Sequence, residues 1–417
     1  MNNFNKYGVV CVDIIVQKFG GTSVSTRERR KMVIDKITEG KKAGYSLVIV
    51  VSAMGRKGEP YATDTLRNLV LENAPSCSLK HLDLLMSCGE IISSVVLASS
   101  LEEAGFDVVA LTGYQAGLLT DDSFSNADIL SIDASKILKH LEEDKIVVIS
   151  GFQGATKDNE ITTLGRGGSD TTAVALGVAL NAKCVEIYTD VDGIMTADPN
   201  VVPKAKIIHE MNYDEVFQMA DKGAKVIHPR AVEIAQNGNI PLKIKNTMST
   251  HPGTTVYYCR KNGTLPYSSK SSKGLLTAIT HKDDISQISI YTEANPEKDS
   301  QLLSALACGN ISIDMINFFV DKKIFTIDGS QNLNLKNILR DFDVKYTILN
   351  NCSKVTIVGC RITGIPGVMA TVVSALAKEG IKILQSSDSH STISCLVPQE
   401  AGKKAVNILH EAFHLDQ

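Results

Sequence analysis

Six short runs, DIIVQKF, SLVIVVSAM, DVVALTG, KIVVISGFQG, CVEIYTD and IPLKIKNT, punctuate the first 250 residues, and their centres are almost wholly apolar. A strand with one wet face alternates apolar and polar residues, so runs of this kind belong to strands covered on both faces. Helical patterns lie between them, among them ERRKMVIDKITEGKKAG and SDTTAVALGVALNA, each closed by residues rich in Gly or Asn. The rhythm predicts an α/β fold, a mostly parallel central sheet with helices on both faces. At 417 residues the chain exceeds what one hydrophobic core supports, so two or three domains are expected.

A net charge of -3 and a pI near 6.3 give no basic field for nucleic acid, and no charge run marks a membrane patch. Small molecules and other subunits are the expected partners. The nine cysteines include no CxxC pair, which points to reduced thiols and a cytoplasmic setting. Apolar runs such as Leu47 to Val51 and Ile146 to Ile149 are strand-sized and too short for a membrane span. The start MNNFNKYGVVCVD lacks the features of a signal peptide.

From Thr250 to Thr280 the composition turns to Gly, Ser, Thr and Lys, the mark of a domain boundary. Beyond it, LLSALACGNISIDMINFFVDKKIFTI (302–327) aligns without gaps to VVSALAKEGIKILQSSDSHSTISCLV (372–397), an offset of 70. Each copy reads as a unit of about seventy residues of the β-α-β-β-α-β kind.

Several stretches carry chemistry. In VQKFGGTSVS, Gly20 and Gly21 can turn N–H groups toward an anion while Lys18 supplies a cation. The lysine precedes the glycines, the reverse of a Walker loop, and the plainer alternative is a strand ending in a Gly-Gly turn. Ser25 is expected to cap the helix that follows. In TTLGRGGSDTTA a glycine turn with Arg166 opens into a helix whose first turn holds Ser169, Asp170 and Thr171, suited to an anion or to simple capping. YTDVDGIMTADPN offers Thr189, Asp190, Asp192 and Asp198 at a strand end, where open α/β sheets bind ligands; it lacks the twelfth-position Glu of a calcium loop. SCGEIISSVVLASSL places Glu90 at a helix start, able to receive an ammonium or to act as a cap. KGAKVIHPRAVEIAQ sets Lys225 ahead of a Pro-initiated helix, as a second phosphate cation or a solvated lysine.

In their order along the chain, KFGGTSV, VVSAMGRKG, LMSCGE, TTLGRGGSDTTA, TDVDGIMTADP and GAKVIHPRAVEIA resemble the motif series of the aspartokinases, in the amino-acid kinase family. The resemblance runs from Ile14 to the C-terminus. The twin repeat is similar to that family's paired regulatory ACT domains, and the closing ILQSSDSHSTISCLV most resembles the diaminopimelate-sensitive Bacillus type. This implies phosphoryl transfer from ATP, with Mg²⁺, to the β-carboxylate of L-aspartate, the first step toward lysine, diaminopimelate, threonine and methionine. It also implies Lys18 and Lys225 on the phosphates with Gly20, Gly21 and Thr22, and Asp170 orienting the lysines. Arg166, with Gly167 and Gly168, would clamp the α-carboxylate. Glu90 would take the ammonium, and Ser52, Thr63 and Ser169 the remaining oxygens. Thr189, Asp190, Asp192, Gly193, Met195, Asp198 and Pro199 would border the nucleotide.

ACT pairs of this kind imply a homo-oligomer and a small amino-acid effector, diaminopimelate first and otherwise lysine or threonine, near Ser312, Ile313, Asp314, Lys382, Ile383, Ser389 and His390. The implied division is an extension over 1–13, a catalytic domain over 14–258, a linker over 259–275 and ACT copies over 276–350 and 351–417, with Val12 expected as the native initiator. Two departures stand out. Asn200 replaces an arginine common after ADP, and the first copy lacks the Pro-Gly turn of TGIPGV. The alternatives are another kinase of the same fold, for glutamate or acetylglutamate, and a non-catalytic ACT sensor.

Overall fold

The computed structural model describes residues 13–224, 226–257, 276–291, 296–359, 362 and 365–417. Val12, Lys225 and the linker over 259–275 lie outside them. The chain forms two compact units. Of the described residues, the first takes 13–194, 207–220 and 226–257, and the second takes Met195–Lys206, Asp221–Ala224 and those from 276 onward.

The first unit is built on an eight-stranded sheet in the order Glu210–Asn212, Thr254–Tyr257, Leu242–Asn246, Cys184–Thr189, Ile14–Phe19, Ser46–Val51, Ile146–Ser150, Val108–Leu111. The last six are parallel, and they are the six apolar runs of the sequence. Thr254–Tyr257 is antiparallel to its neighbour Leu242–Asn246. Every residue of Ser46–Val51 and Ile146–Ser150 is buried, because helices cover both faces. Arg27–Lys42 and Leu79–Glu103 pack on one face through Val33, Ile37, Leu97 and Leu101. Gly168–Ala179 packs on the other, against the central strands. A smaller sheet, Ile129–Ile132, Leu118–Thr120, Gln153–Ala155 and Ile161–Thr163, was not foreseen from the sequence.

Leu79–Glu103 corrects the reading that apolar segments are too short to span a membrane: its 25 residues reach a mean hydropathy of 1.7 over an 18-residue window. Half of that window is buried within the protein, and the helix carries buried Asp83 and Glu90, so it is a core helix.

The second unit has a six-stranded antiparallel sheet, Asp314–Phe318, Lys322–Asp328, Leu276–Tyr291, Lys345–Gly359, Thr392–Pro398, Gln385–Asp388. Its two central strands are long, 16 and 15 residues. Residues 285–291 of the first pair with Lys322–Asp328 in one copy, while 276–282 pair with 354–359 in the other. The second copy thus draws a strand from ahead of the first, and the expected boundary at 350/351 falls inside one continuous strand. Positions 70 apart fill matching core sites: Leu302 and Val372, Leu306 and Leu376, Ile311 and Ile381, Phe325 and Cys395. Ala197 and Val202, from Met195–Lys206, are buried in the core of the second copy.

Candidate active site

Because six strands run parallel, their carboxyl ends share one edge: Phe19, Val51, Ser150, Thr189 and Asn246 are followed there by loops, the usual ligand crevice of such sheets. Lys18 stands one residue before that edge. Its Nζ meets Asp170 Oδ1 at 2.7 Å, each side chain 12% exposed. Gly20 N donates to Tyr188 O, and Gly21 begins a single helical turn, Gly21–Val24. A Cβ on Gly21 would lie 2.3 Å from Ala53 O, so only glycine lets these two loops approach. Ser23 Oγ bonds Thr247 Oγ1 at 2.7 Å, tying the glycine turn to the end of Leu242–Asn246, two strands away in the sheet.

The expected cap at Ser25 is corrected: Thr26 caps Arg27–Lys42 by accepting from Arg29 N, while Ser25 Oγ donates to Thr22 O at 3.0 Å. The chain at Ser25 has already completed one helical turn, so its hydroxyl closes that turn. Capping also fails as the account of Ser169 and Asp170. The cap of Gly168–Ala179 is Gly167, at φ 67° and without a side-chain bond. Asp170 is instead the partner of Lys18, Ser169 is buried beside Gly151, and Arg166 is exposed and pairs with no carboxylate among the described residues.

Glu90 is not at a helix start. It lies in the middle of Leu79–Glu103, so the helix dipole does not hold its charge. Oε1 accepts from Ala53 N at 3.0 Å, and Oε2 is buried with no hydrogen-bond partner among the described residues. Burial pushes its carboxyl up to about 8, against the opposing Ala53 hydrogen bond. Two turns earlier, Asp83 is equally buried but fully bonded: each oxygen accepts twice, from the N–H and hydroxyl groups of Ser125 and Thr163, at 2.8–2.9 Å. Asp83 thereby fixes the strand leading to Arg166. Arg230 holds the same loop through Leu164 O at 3.2 Å and Ala127 O at 2.8 Å. Sequence reasoning missed both; Arg230 lay within a quoted motif, and Asp83 carried no signal beyond being a charge in an apolar helix.

Ser52 follows its strand and donates from N to Phe19 O, and Thr63 begins Thr63–Leu71. Thr189 Oγ1 bonds Asp190 Oδ1 at 3.3 Å, and Asp190 Oδ2 meets Arg56 Nη2 at 2.7 Å on the surface. Gly193, at φ 154°, packs on Thr254. Met195, Asp198 and Pro199 belong to the second unit, where Asp198 Oδ1 accepts from Asn200 N and Nδ2 at 2.9 and 3.0 Å. Pro229 opens its helix as expected, behind a His228 cap.

In the second unit, Ser312 and Ile313 lead into an edge strand whose first residue, Asp314, is ion-paired with buried Lys354. Lys382 and Ile383 precede the opposite edge strand; Ser389, which bonds Thr392, and His390 follow it. The two candidate groups thus lie on the two edge strands of the sheet, and these touch: Gln385 Nε2 donates to Asn317 Oδ1 at 2.8 Å and to Met315 O. Among the described residues no cluster of three His, Cys, Asp or Glu could cage a metal.

A parallel sheet with a lysine–aspartate pair, a glycine turn and spare polar groups at its carboxyl edge, carried on one chain with twin ferredoxin-like copies, defines a regulated phosphoryl-transfer enzyme. The sequence pattern of the amino acid kinase family matches residues 13–246, and that of the ACT domain matches 347–411. The chain is 44% identical to Aspartokinase 1 of Bacillus subtilis (strain 168), over 97% of this chain and 100% of that protein. The crystal structure of E. coli aspartokinase III in complex with aspartate and ADP, in its R-state, matches with a TM-score of 0.79 and 25% identity, over 96% of this chain and 100% of that one. The same enzyme with lysine and aspartate, in its T-state, matches at 0.73 with 26% identity, over 96% and 99% of the two chains. This chain belongs to the amino-acid kinase family and, within it, to the aspartokinases.

Proposed function

We propose that the chain transfers the γ-phosphoryl group of ATP to the β-carboxylate of L-aspartate, giving 4-phospho-L-aspartate under feedback control. The observation that carries this reading is the Lys18–Asp170 pair beside the glycine turn at the carboxyl edge. The acceptor carboxylate, with a reference pKa of about 3.9, is already ionised, so catalysis needs position and charge neutralisation and no general base. Lys18 neutralises charge on the transferring group, and Asp170 fixes the direction of its ammonium. Lys225, outside the described residues, is the second cation of this reading, and Gly20, Gly21 and Thr22 line the phosphates. Thr189, Asp190, Asp192 and Gly193 border the nucleotide.

For aspartate, the bare oxygen of Glu90 receives the ammonium. Burial favours the protonated carboxyl beforehand; the arriving ammonium stabilises the carboxylate instead, and the proton leaves to solvent. Arg166, exposed beside Gly167 and Gly168 and without a carboxylate partner among the described residues, takes the α-carboxylate, and Ser52, Thr63 and Ser169 the remaining oxygens. ATP would enter as its Mg²⁺ complex, the metal supplying charge neutralisation while keeping mostly phosphate and water oxygens as ligands. Incubation with Mg-ATP, aspartate and hydroxylamine should yield aspartyl hydroxamate. Product with glutamate and none with aspartate would overturn the reading.

On this reading the catalytic domain falls within 14–258, the linker is 259–275 and the two regulatory copies share 276–417, exchanging strands across the expected 350/351 boundary, in a cytoplasmic enzyme whose described cysteines are free thiols. The effector is a small amino acid near Ser312, Ile313, Asp314, Lys382, Ile383, Ser389 and His390, diaminopimelate before lysine or threonine. Thermal shift with each ranks them, since a ligand of the folded state alone raises the midpoint. The first copy's edge strand Asp314–Phe318 and the turn after it expose Ile316, Phe318, Phe319 and Val320, and an apolar edge of this kind favours pairing with a second copy. Light scattering of Phe318→Asp against the parent tests that homo-oligomer.

A further inference from the structure

The start of the helix Pro229–Asn237 braces the turn that carries Arg166 on both sides. Arg230 donates to Leu164 O, two residues before Arg166, and His228, the cap of that helix, lies against Gly167, the residue after it. The fit at Gly167 is close. With φ at 67°, a Cβ there would stand 2.2 Å from His228 Cβ, 2.3 Å from Cγ and 2.7 Å from Cδ2, so the imidazole fills the space a side chain would need. The two edges of the ring are thereby told apart. Nδ1 turns to its own helix and accepts from Arg230 N at 3.4 Å, and the Cδ2–Nε2 edge is the one on the Gly167 side.

An acceptor at Nδ1 puts the ring proton of a neutral imidazole on Nε2. Burial holds His228 below its ordinary value; Asp170 opposes this, while Arg230 and Arg166 add to it, so the ring is neutral at pH 7. These neighbours also locate it, within reach of both the exposed guanidinium of Arg166 and the Asp170 carboxylate that holds Lys18. Nε2 has no hydrogen-bond partner among the described residues and is not sealed from solvent. Capping occupies one ring nitrogen and is done best by Ser, Thr, Asn or Asp, so it accounts for neither the ring nor its spare donor. A carboxylate gripped by a guanidinium keeps lone pairs to satisfy, and an uncharged N–H beside Arg166 serves them without crowding a second cation against the first.

We propose that His228 binds the phosphoryl acceptor, its Nε2–H donating to the same α-carboxylate that Arg166 takes. This role rests on Arg166 as the clamp of the function proposed above and not on which amino acid is the acceptor.

Hydroxamate kinetics of the full chain, with aspartate and magnesium ATP each varied, test it on two variants. Asparagine keeps an acceptor near the Nδ1 position, and so the cap, without the far N–H; glutamine reaches the Nε2 position with an amide N–H and gives up the cap. His228→Asn should raise the KM for aspartate about tenfold, the scale of one lost hydrogen bond to a charged group, with the KM for magnesium ATP and the unfolding midpoint near those of the parent. His228→Gln should recover part of the aspartate KM even where its midpoint falls, which a merely structural His228 would not allow. A parent-like aspartate KM in His228→Asn, an equal rise for both substrates, or a glutamine variant no better than the asparagine one would overturn the proposal. A parent that uses glutamate and not aspartate would overturn the proposed acceptor alone; the same comparison made with glutamate, which carries the same α-carboxylate, then supports or overturns His228.

Discussion

The Glu90 carboxylate and Arg166 at the kinase edge and the buried lysines of the regulatory sheet are treated in opposite ways. In the regulatory sheet Lys323 and Lys354, side chains 6% and 5% exposed, each meet a carboxylate, Asp299 and Asp314. At the kinase edge Glu90 keeps one buried oxygen bare, and Arg166 stands without a carboxylate among the described residues. A closed pair satisfies itself and contributes to one fold. An open group costs stability until a ligand closes it, and that cost is then returned as binding.

The largest effect that would sharpen this contrast is in catalysis. Lys18→Ala should lower kcat by roughly 10²- to 10³-fold, the scale for one preorganised charge contact, as read by hydroxamate formation. A parent-like rate would remove Lys18 from the edge. Next comes Asp83, the closed carboxylate of the helix that carries Glu90. Asp83→Ala strands four donors, the two of Thr163 buried, and should cost about 3 kcal/mol in denaturant unfolding; a loss below about 1 kcal/mol would show that the loop is held elsewhere.

Glu90→Gln probes the open carboxylate through pH. The folded-state value of Glu90, about 8, lies above the ordinary 4.5, so its contribution to stability is complete below pH 4.5 and is lost as pH rises toward 8. The glutamine variant lacks that loss. Its unfolding free energy relative to the parent should climb across this window, by on the order of 3 kcal/mol near neutrality. A gap that stays flat from pH 5 to 8 would place Glu90 in a less buried setting.

The smallest effect tests the closed pairs. At the offset of 70 residues, Asp299 and Lys323 correspond to Met369 and Ile393, so the second copy builds an apolar contact where the first has an ion pair. Asp299→Met with Lys323→Ile should change stability by no more than about 1 kcal/mol, whereas Asp299→Met alone should cost about 3. A large loss in the double variant would mean that the first copy needs its charges for more than folding.

Much of the fold was legible because burial on both faces writes itself into composition: all six apolar runs became the parallel strands. Their order in the sheet was not, since the runs are chemically alike and only helix packing selects neighbours. The repeat located both ACT cores for the same reason, yet it hid the sharing of the two long strands, because pairing partners leave no mark at a fixed spacing. Glu90 was misplaced at a helix start because Gly89 and the surrounding serines imitate a cap. In the structure Gly89 lies within the helix, where a Cβ would stand 2.8 Å from that of Ala53, so packing explains the glycine.

The sequence by itself determined the chemistry on offer: the strands, the repeated regulatory core and the charged residues bordering glycine turns. Only the tertiary structure decided which of those charges are closed and which are left open, because closure depends on groups far apart in the chain. Lys18 and Asp170 are 2.7 Å apart across 152 positions, and Ala53 binds one oxygen of Glu90 and leaves the other bare. Three-dimensional proximity alone therefore sets both which charges are oriented by a partner and which oxygen stays open.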